Sequence, residues 1–297
     1  ACVEAVSRFQ PVLVVVDNRN RVEALLQHIP KDRLTIVSCP SNDTWARDHG
    51  GITVFEDDQP LILDFMFNGW GLKFPANKDN LITRSLHLWG FFGDTKREQA
   101  NMVLEGGALE TDGEGTLLST TECLMSLNRN PHLSFEETEA ELSRFLGVDR
   151  FLWLDNGYLA GDDTDSHIDT LARFCDPQTI VYVQCPDTED EHYAELKLME
   201  QELQSFRTRA GEPYHLVPLP WPTACYAEDG HRLPATYANF LIINGAVLVP
   251  TYEVPEDAKA LEVLQSCFPD REIIGINCRP LIEQHGSLHC ISMQYPS

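Results

Sequence analysis

Apolar residues along this chain come in short β-branched bursts separated by polar turns, with a few stretches of helical spacing between them. Residues 12–16 and 34–37 are such bursts and predict strands, and residues 21–29 between them predict a helix that stops at Pro30. Residues 51–55 and 61–67 predict a strand pair joined by the acidic turn Glu56-Asp57-Asp58-Gln59-Pro60. A further strand is predicted at 117–120, after the turn Asp112-Gly113-Glu114-Gly115. Ser134 with Glu137 is a capping-box signature, and Leu142, Phe145 and Leu146 supply the apolar face of the helix behind it. Strands follow at 151–154 and 180–183, and the longest predicted helix spans 191–207. Residues 240–243 and 247–249 predict a hairpin across Asn244-Gly245. Ala258, Leu261, Leu264 and Phe268 mark one face of a last helix before Pro269. Ile273, Ile274 and Ile276 then lead to a tail in which Cys290 opens an apolar, strand-like run.

The pattern is mixed α/β, with many short strands and few helices. It lacks the regular strand-helix alternation of a doubly wound sheet. No low-complexity linker divides the chain, so residues 1–297 are expected to form a single domain. The spacing of strand pairs and helices hints at a repeated unit of roughly fifty to sixty residues.

Composition is that of a soluble globular chain, 43% hydrophobic and 23% charged. No apolar run is long enough to cross a bilayer and no signal peptide is visible, so no membrane association is expected. Charge changes the picture more. There are 22 Lys+Arg against 46 Asp+Glu, a net charge of -24. Nucleic acid is excluded as a partner, because neutralising phosphates needs clustered basic residues. A field of this sign gathers small cations instead. Nine cysteines are scattered without a CxxC pair, which argues against a zinc knuckle and predicts reduced thiols in a cytoplasm.

Four segments carry candidate chemistry. Trp45-Ala46-Arg47-Asp48-His49-Gly50-Gly51 puts an aromatic, a cation and a carboxylate in one loop, although an Arg-Asp surface pair would read the same way. Leu104-Glu105-Gly106-Gly107 sets two glycines after an acid, which permits close backbone approach to a ligand or a β-bulge. In the run from Gly161 through Asp162, Asp163, Asp165 and His167 to Asp169, a strand starting at His167 would put His167 and Asp169 on one face. Cys290 is set apart from the other cysteines by Gly286-Ser287 upstream and His289 beside it. Together these supply a nucleophile, a general base and two carboxylates. Carboxylates beside a thiol oppose its ionisation until a cation enters, so the set becomes fully competent with a cationic substrate, and a planar guanidinium fits carboxylates by paired hydrogen bonds.

Trp45-x-Arg47-Asp48, Phe67-Asn68-Gly69-Trp70-Gly71, Glu105-Gly106-Gly107, Asp112-Gly113-x-Gly115-Thr116, Asn128-Arg129-Asn130-Pro131, Asp165-Ser166-His167-Ile168-Asp169 and Leu288-His289-Cys290 occur in this order. The set resembles the agmatine deiminase family, which also carries bacterial members labelled peptidyl-arginine deiminase. Each motif is weak alone and the ordered set is highly specific; the resemblance covers about residues 21–296. It implies a pentein fold, a five-bladed α/β-propeller of ββαβ units around a central active site. It also implies hydrolysis of a guanidino to a ureido group with release of ammonia, without metal or organic cofactor. Carried over, Cys290 is the nucleophile, His167 the general acid/base, and Asp48 and Asp169 the carboxylates that hold the guanidinium. Trp45, Trp70 and Glu105 are expected in the pocket wall, and Asp162 and Asp165 at its mouth.

This chain departs from the family pattern in two places. Ser166 stands where the family usually has Gly, and the approach to the cysteine, His285-Gly286-Ser287-Leu288, is less glycine-rich than in many agmatine deiminases. The family's N-terminal segment is also absent before Ala1, so one blade is expected to be incomplete.

The leading expectation is a cytoplasmic hydrolase converting agmatine to N-carbamoylputrescine and ammonia through an amidino adduct on Cys290. Free or peptidyl arginine, giving citrulline, is the alternative; its carboxylate would need a spare cation, with Arg47 and Arg173 as candidates. A non-catalytic guanidino-compound binder has no need of the thiol. A metallohydrolase using His167, Asp169 and His289 lacks any HExxH or His-x-His spacing. Oligomeric state is not legible in the sequence, and a homo-oligomer is carried as an open expectation.

Overall fold

The β-branched bursts do become strands, and the strands pair in a repeating order. A computed structural model of the chain describes residues 1–296 and contains five small sheets. In the first, β1 (Val12–Val16) and β2 (Leu34–Ser38) run parallel, with the helix Arg19–Leu26 between them. The second joins β3 (Ile52–Glu56) antiparallel to β4 (Gln59–Met66), then β4 parallel to β5 (Lys96–Val103). The same antiparallel-then-parallel order recurs in β6 (Glu110–Thr111), β7 (Thr116–Thr120) and β8 (Arg150–Leu154). It recurs again in β9 (Ala172–Asp176), β10 (Thr179–Val183) and β11 (His215–Leu219). The last sheet, β12 (Leu241–Ile243), β13 (Ala246–Thr251) and β14 (Glu272–Asn277), repeats it once more. A helix crosses between the parallel strands of each three-stranded sheet: Ile82–Leu88, Phe135–Leu146, Tyr193–Ser205 and Asp257–Cys267. Four copies of a ββαβ unit and one two-stranded βαβ unit therefore follow one another.

Local sequence explains the joints. The β3–β4 turn is made by Asp57 and Asp58, both at positive φ (50° and 61°), and Gly245 at φ 77° closes the β12–β13 hairpin. Ser134 and Glu137 form the expected capping box, and Gly147 ends that helix in the left-handed conformation. The largest core cluster packs the last two sheets and their helices, from Leu152 and Ile180 to Val249 and Leu264. A second fills the space under β4, β5 and β7 around Met102, Leu117 and Leu142.

Two expected strands are not formed. His167 does not begin a strand: residues Ile168–Thr170 make a 3-10 turn and β9 starts only at Ala172. The tail around Cys290 is a turn, held by the amide of Ser292 donating to the carbonyl of His289. Both segments spend backbone donors on local turns and on side chains from other loops, which leaves no strand edge to pair. No helix among the described residues is long and apolar enough to cross a membrane.

Candidate active site

Five connectors bring the candidate side chains together. Each follows the last strand of a unit. Trp45 and Asp48 lie between β2 and β3, Glu105 and Gly107 between β5 and β6, and the segment from Asp162 to Asp169 between β8 and β9. Thr236 and Asn239 lie between β11 and β12, and His285 and Cys290 follow β14.

Asp48 sits in the short helix Ala46–His49 and is almost fully buried. Its Oδ1 accepts the amide of Gly107 at 3.0 Å and its Oδ2 accepts the indole N–H of Trp70 at 3.0 Å. His167 Nδ1 is 3.6 Å from Oδ1. A Cβ on Gly107 would stand 2.6 Å from His167 Nδ1, 2.7 Å from Asp48 Oδ1 and 3.2 Å from Asp169 Oδ2. Gly107 thus makes room for three titrating groups, and Gly106 for the Arg47 backbone; the pair forms a 3-10 turn, Gly106–Ala108, and not a bulge.

His167 and Asp169 do converge, through that 3-10 turn instead of strand alternation. The turn is pinned from several sides. The His167 amide donates to Thr164 Oγ1 at 3.1 Å, and Thr170 Oγ1 donates to the His167 carbonyl at 2.8 Å. Asp165 and Ser166 just before it hold φ of 65° and 61°, conformations that suit glycine. Ser166 offsets that strain by donating its hydroxyl to Glu122 at 2.8 Å.

Asp169 is fully buried. Its Oδ2 is 2.7 Å from His289 Nδ1, while its Oδ1 has no hydrogen-bond partner. The other nitrogen of His289 faces Arg173 at 3.4 Å, so Nε2 is the acceptor and Nδ1 carries the proton given to Asp169. Burial, with the Arg173 and Arg47 cations nearby, holds His289 well below the usual histidine range, consistent with a neutral ring. Cys290 Sγ is 3.4 Å from Asn239 Oδ1, which also accepts the amides of His289 and Cys290 at 2.8 Å and 3.3 Å. Asn239 Nδ2 donates to the Asp169 carbonyl at 3.3 Å, so one amide side chain ties the thiol loop to the carboxylate loop. Asn239 was not foreseen; its signal is a lone polar residue inside the apolar run 237–243.

The electrostatics are tightly coupled. Burial, then the negative fields of Asp169 and Asp48, push the Cys290 thiol well above the ordinary cysteine value. Burial likewise raises Asp169 to about 7, with Asp48 adding to it. Burial opposes charge on His167, but the field of Asp48 leads the neighbours that outweigh it and hold the ring well above its ordinary value. Glu105 lies 3.9 Å from His167 Nε2. Burial would raise Glu105, yet His167 and Arg129 together hold it below the usual carboxylate range. Arg129, whose signal is the Asn128-Arg129-Asn130-Pro131 motif but to which the sequence assigns no role, is fully buried; its Nε donates to both Glu105 oxygens at 2.8 and 3.0 Å, and its NH1 donates to Asp165 at 2.7 Å.

A cavity of about 290 Å³ opens on this cluster. Trp45, Asp48, Trp70 and Cys290 form its deep wall, as expected for the two indoles. A Cβ on Gly286 would lie 2.3 Å from the Trp45 ring, so this glycine makes room for the wall. His167, Asp169 and Glu105 are each at most 1% exposed; His167 and Asp169 sit immediately beneath the lining, beside Asp48, and Asp169 Oδ1 is left there without a partner. Glu105 therefore backs His167 instead of lining the cavity. Asp165, expected at the mouth, is engaged elsewhere: its oxygens meet Lys73 at 2.5 Å and Arg129 at 2.7 Å. Asp162 does line the cavity, but its oxygens accept from Thr164 and Ser166 and fold the loop. The mouth carboxylates are Asp43 and the half-exposed Asp163.

No lysine or arginine lines the cavity among the described residues. Arg47 directs its guanidinium to Met293 and Gln294, and Arg173 is bound to Glu110 at 2.6 Å. Both candidates for holding a carboxylate are thus engaged. Among the described residues, Glu105, Cys123 and His167 are the metal-capable groups that cluster within 4.8 Å; His167, Asp169 and His289 do not form such a group.

The chain is similar along its length to known proteins. It aligns over all of its length, and 86% of the relative's, with an agmatine deiminase of Pseudomonas aeruginosa at 32% identity. A crystal structure from Porphyromonas gingivalis, provisionally named an arginine deiminase, matches at 57% identity and TM-score 0.95, covering 99% of this chain and 88% of that one. A cysteine-to-serine variant of C. jejuni agmatine deiminase with substrate bound matches at 40% identity and TM-score 0.89, over 97% and 83% of the two chains. The family model for Porphyromonas-type peptidyl-arginine deiminase matches residues 1–296, and the chain belongs to that family.

Proposed function

We propose that this chain hydrolyses agmatine to N-carbamoylputrescine and ammonia. The observation that carries the substrate choice is the cavity itself: a thiol and a carboxylate at its floor, Asp43 and Asp163 at its mouth, and no cationic lining residue among those described. A primary ammonium suits such a mouth, whereas the carboxylate of arginine would be repelled. The curated relatives named agmatine deiminase support the same choice.

In this reading Cys290 is the nucleophile, His167 the general acid/base, and Asp48 and Asp169 the guanidinium holders. A guanidinium set between the two aspartates cancels the field that opposes the thiolate, so the substrate brings out its own nucleophile. The thiol proton leaves to solvent. The thiolate then forms a C–S bond to the guanidinium carbon, and the imidazolium of His167 gives its proton to one terminal amine. The C–N bond breaks and ammonia departs, leaving a cationic amidino adduct on Cys290 and a neutral His167. A water loses a proton to His167 and its oxygen bonds to the same carbon. Expulsion of the Cys290 thiolate, with loss of the hydroxyl proton to solvent, yields the ureido product. Glu105, clamped by Arg129, keeps His167 oriented and favours its charged form.

The four ββαβ units with the βαβ unit before them support a five-bladed pentein propeller whose single catalytic domain spans the chain. The nine free cysteines suit a reducing compartment, which supports a cytoplasmic enzyme. The family and the Porphyromonas gingivalis relative carry arginine in their names, so the deciding assay is a steady-state panel of agmatine, free arginine and a peptide ending in arginine. Agmatine is expected to lead by at least about a hundredfold in kcat/KM, from the lost ammonium contact and the repelled carboxylate together; comparable turnover of either arginine substrate overturns the choice.

A further inference from the structure

At the rim of the cavity two imidazole rings stack. His231 and His285 have centroids 5.3 Å apart and planes within 20°. His285 Nδ1 is 2.8 Å from the Gly161 carbonyl and 3.3 Å from Asp163 Oδ2. His231 Nδ1 is 2.5 Å from Asp229 Oδ1. Both neighbours of His285 Nδ1 are acceptors, so Nδ1 holds a proton in either charge state, and the ring becomes charged by taking a second proton at Nε2. That charge arises beside Asp163.

His285 also holds φ 67°, left-handed backbone that a β-carbon disfavours. Strained residues of this kind cluster at ligand sites, where the strain is part of how the site works. The charged and titratable groups around it are Asp163, the His231 ring with its Asp229, the cavity-lining Asp43 and Asp162, and Lys73, whose Nζ donates to the Asp163 carbonyl at 2.7 Å and is paired with Asp165. Asp162 is turned to Thr164 and Ser166, which leaves Asp163 as the carboxylate that His285 addresses.

We propose that His285 is a specificity-determining residue that competes with the substrate's distal cation for Asp163. Charged, the imidazole pairs with Asp163 and withdraws it from the ammonium end of a dicationic guanidine. Neutral, it leaves Asp163 to that ammonium. Preference for a dicationic over a monocationic guanidine therefore falls as His285 gains its second proton. This rests on the agmatine reading above.

The test is the ratio of kcat/KM for agmatine to that for n-butylguanidine, which has the same chain without the amine. Titration of Cys290 and His167 affects both substrates and cancels in the ratio. In the wild type the ratio is expected to fall roughly three- to tenfold from about pH 8 to about pH 5.5. His285→Asn tolerates left-handed backbone, and its ratio is expected to stay flat over that range. Asp163→Asn is expected to lower the ratio at high pH and to flatten it as well. A flat ratio in the wild type, an unchanged slope in His285→Asn, or a slope abolished only by His231→Gln overturns the proposal while leaving agmatine as substrate. Failure to hydrolyse agmatine at any pH removes the substrate reading and this inference with it.

Discussion

Trp70 donates its indole N–H to Asp48 from a turn of left-handed backbone. Gly69, Trp70, Gly71 and Leu72 all have positive φ, between 55° and 79°. The two non-glycines cost about 1–2 kcal/mol each. The turn is held by Asn68, whose side chain accepts from Gly71 and donates to the Asn128 carbonyl, and by edge packing of Trp70 on Phe67 and Phe74. Trp70→Phe keeps most of that packing and removes the donor to Asp48 Oδ2. Losing a hydrogen bond to a buried charge is worth about 1.5–3 kcal/mol, so kcat/KM is expected to drop roughly 10- to 150-fold. Steady-state kinetics with an unchanged kcat/KM would assign the indole to packing alone.

Cys290 is expected to resist alkylation in the free enzyme at neutral pH, because burial, Asp169 and Asp48 all oppose its thiolate. The rate of inactivation by iodoacetamide should keep rising beyond pH 9.0, the ordinary thiol value. Asp169→Asn removes one opposing carboxylate and should shift that profile toward lower pH while turnover collapses. A wild-type profile that levels off below about pH 8, under the unperturbed thiol value, would contradict this picture.

Gly107→Ala tests whether the small residue makes room for the chemistry. The added methyl would meet His167 Nδ1, Asp48 Oδ1 and Asp169 Oδ2 at 2.6 to 3.2 Å. Displacing three groups by about 1 Å is expected to cost at least roughly a hundredfold in kcat. Because the contacts are side chains, the variant should still fold, and a melting curve separates the two effects. Full activity in a folded Gly107→Ala would show that the cluster is looser than described.

His49 gives a pH signature in stability. It is buried, its Nδ1 lacks a partner, and burial lowers it to about 4. An unfolded histidine titrates near 6.5, so between that value and about 4 the unfolded chain binds the proton and the folded one does not. Stability from this group is thus lost as pH falls through that window, by about 1.4 kcal/mol per unit. His49→Phe removes the titration. Its melting temperature relative to wild type should climb as pH drops from about 6.5 to about 4, the window set by His49 itself. A constant difference would mean that His49 is charged in the fold.

Where the sequence was legible, one physical signal dominated. The β-branched runs of β1, β10 and β13, the capping box at Ser134 and the Asn244-Gly245 turn each appear where the pattern put them. Strand β5 did not announce itself: Lys96-Arg97-Glu98-Gln99 is polar, and only its last residues are buried, so it is held by parallel pairing to β4. His167 and Asp169 converge as neighbours of Gly107, but a 3-10 turn replaces the alternating strand that the sequence pattern suggests. Asp165 was misread because an acid in a loop looks alike whether it faces a ligand or a buried arginine. The partner that decides, Arg129, is 36 residues away. His285 and Asp163 meet only through the fold, so neither residue's neighbours along the chain could reveal the pair.

The placement of one candidate group on each connector has a consequence for how the protein is made. Asp48, Glu105, His167 and Asn239 are all synthesised before Cys290, and every strand of all five sheets precedes it as well. A nascent chain can therefore pair its sheets while the carboxylates and the imidazole still lack their sulfur. With Cys290 in its proposed role, chemistry switches on with a single late docking, when the loop bearing Cys290 reaches Asn239, and partial products of translation are expected to be inert toward guanidines.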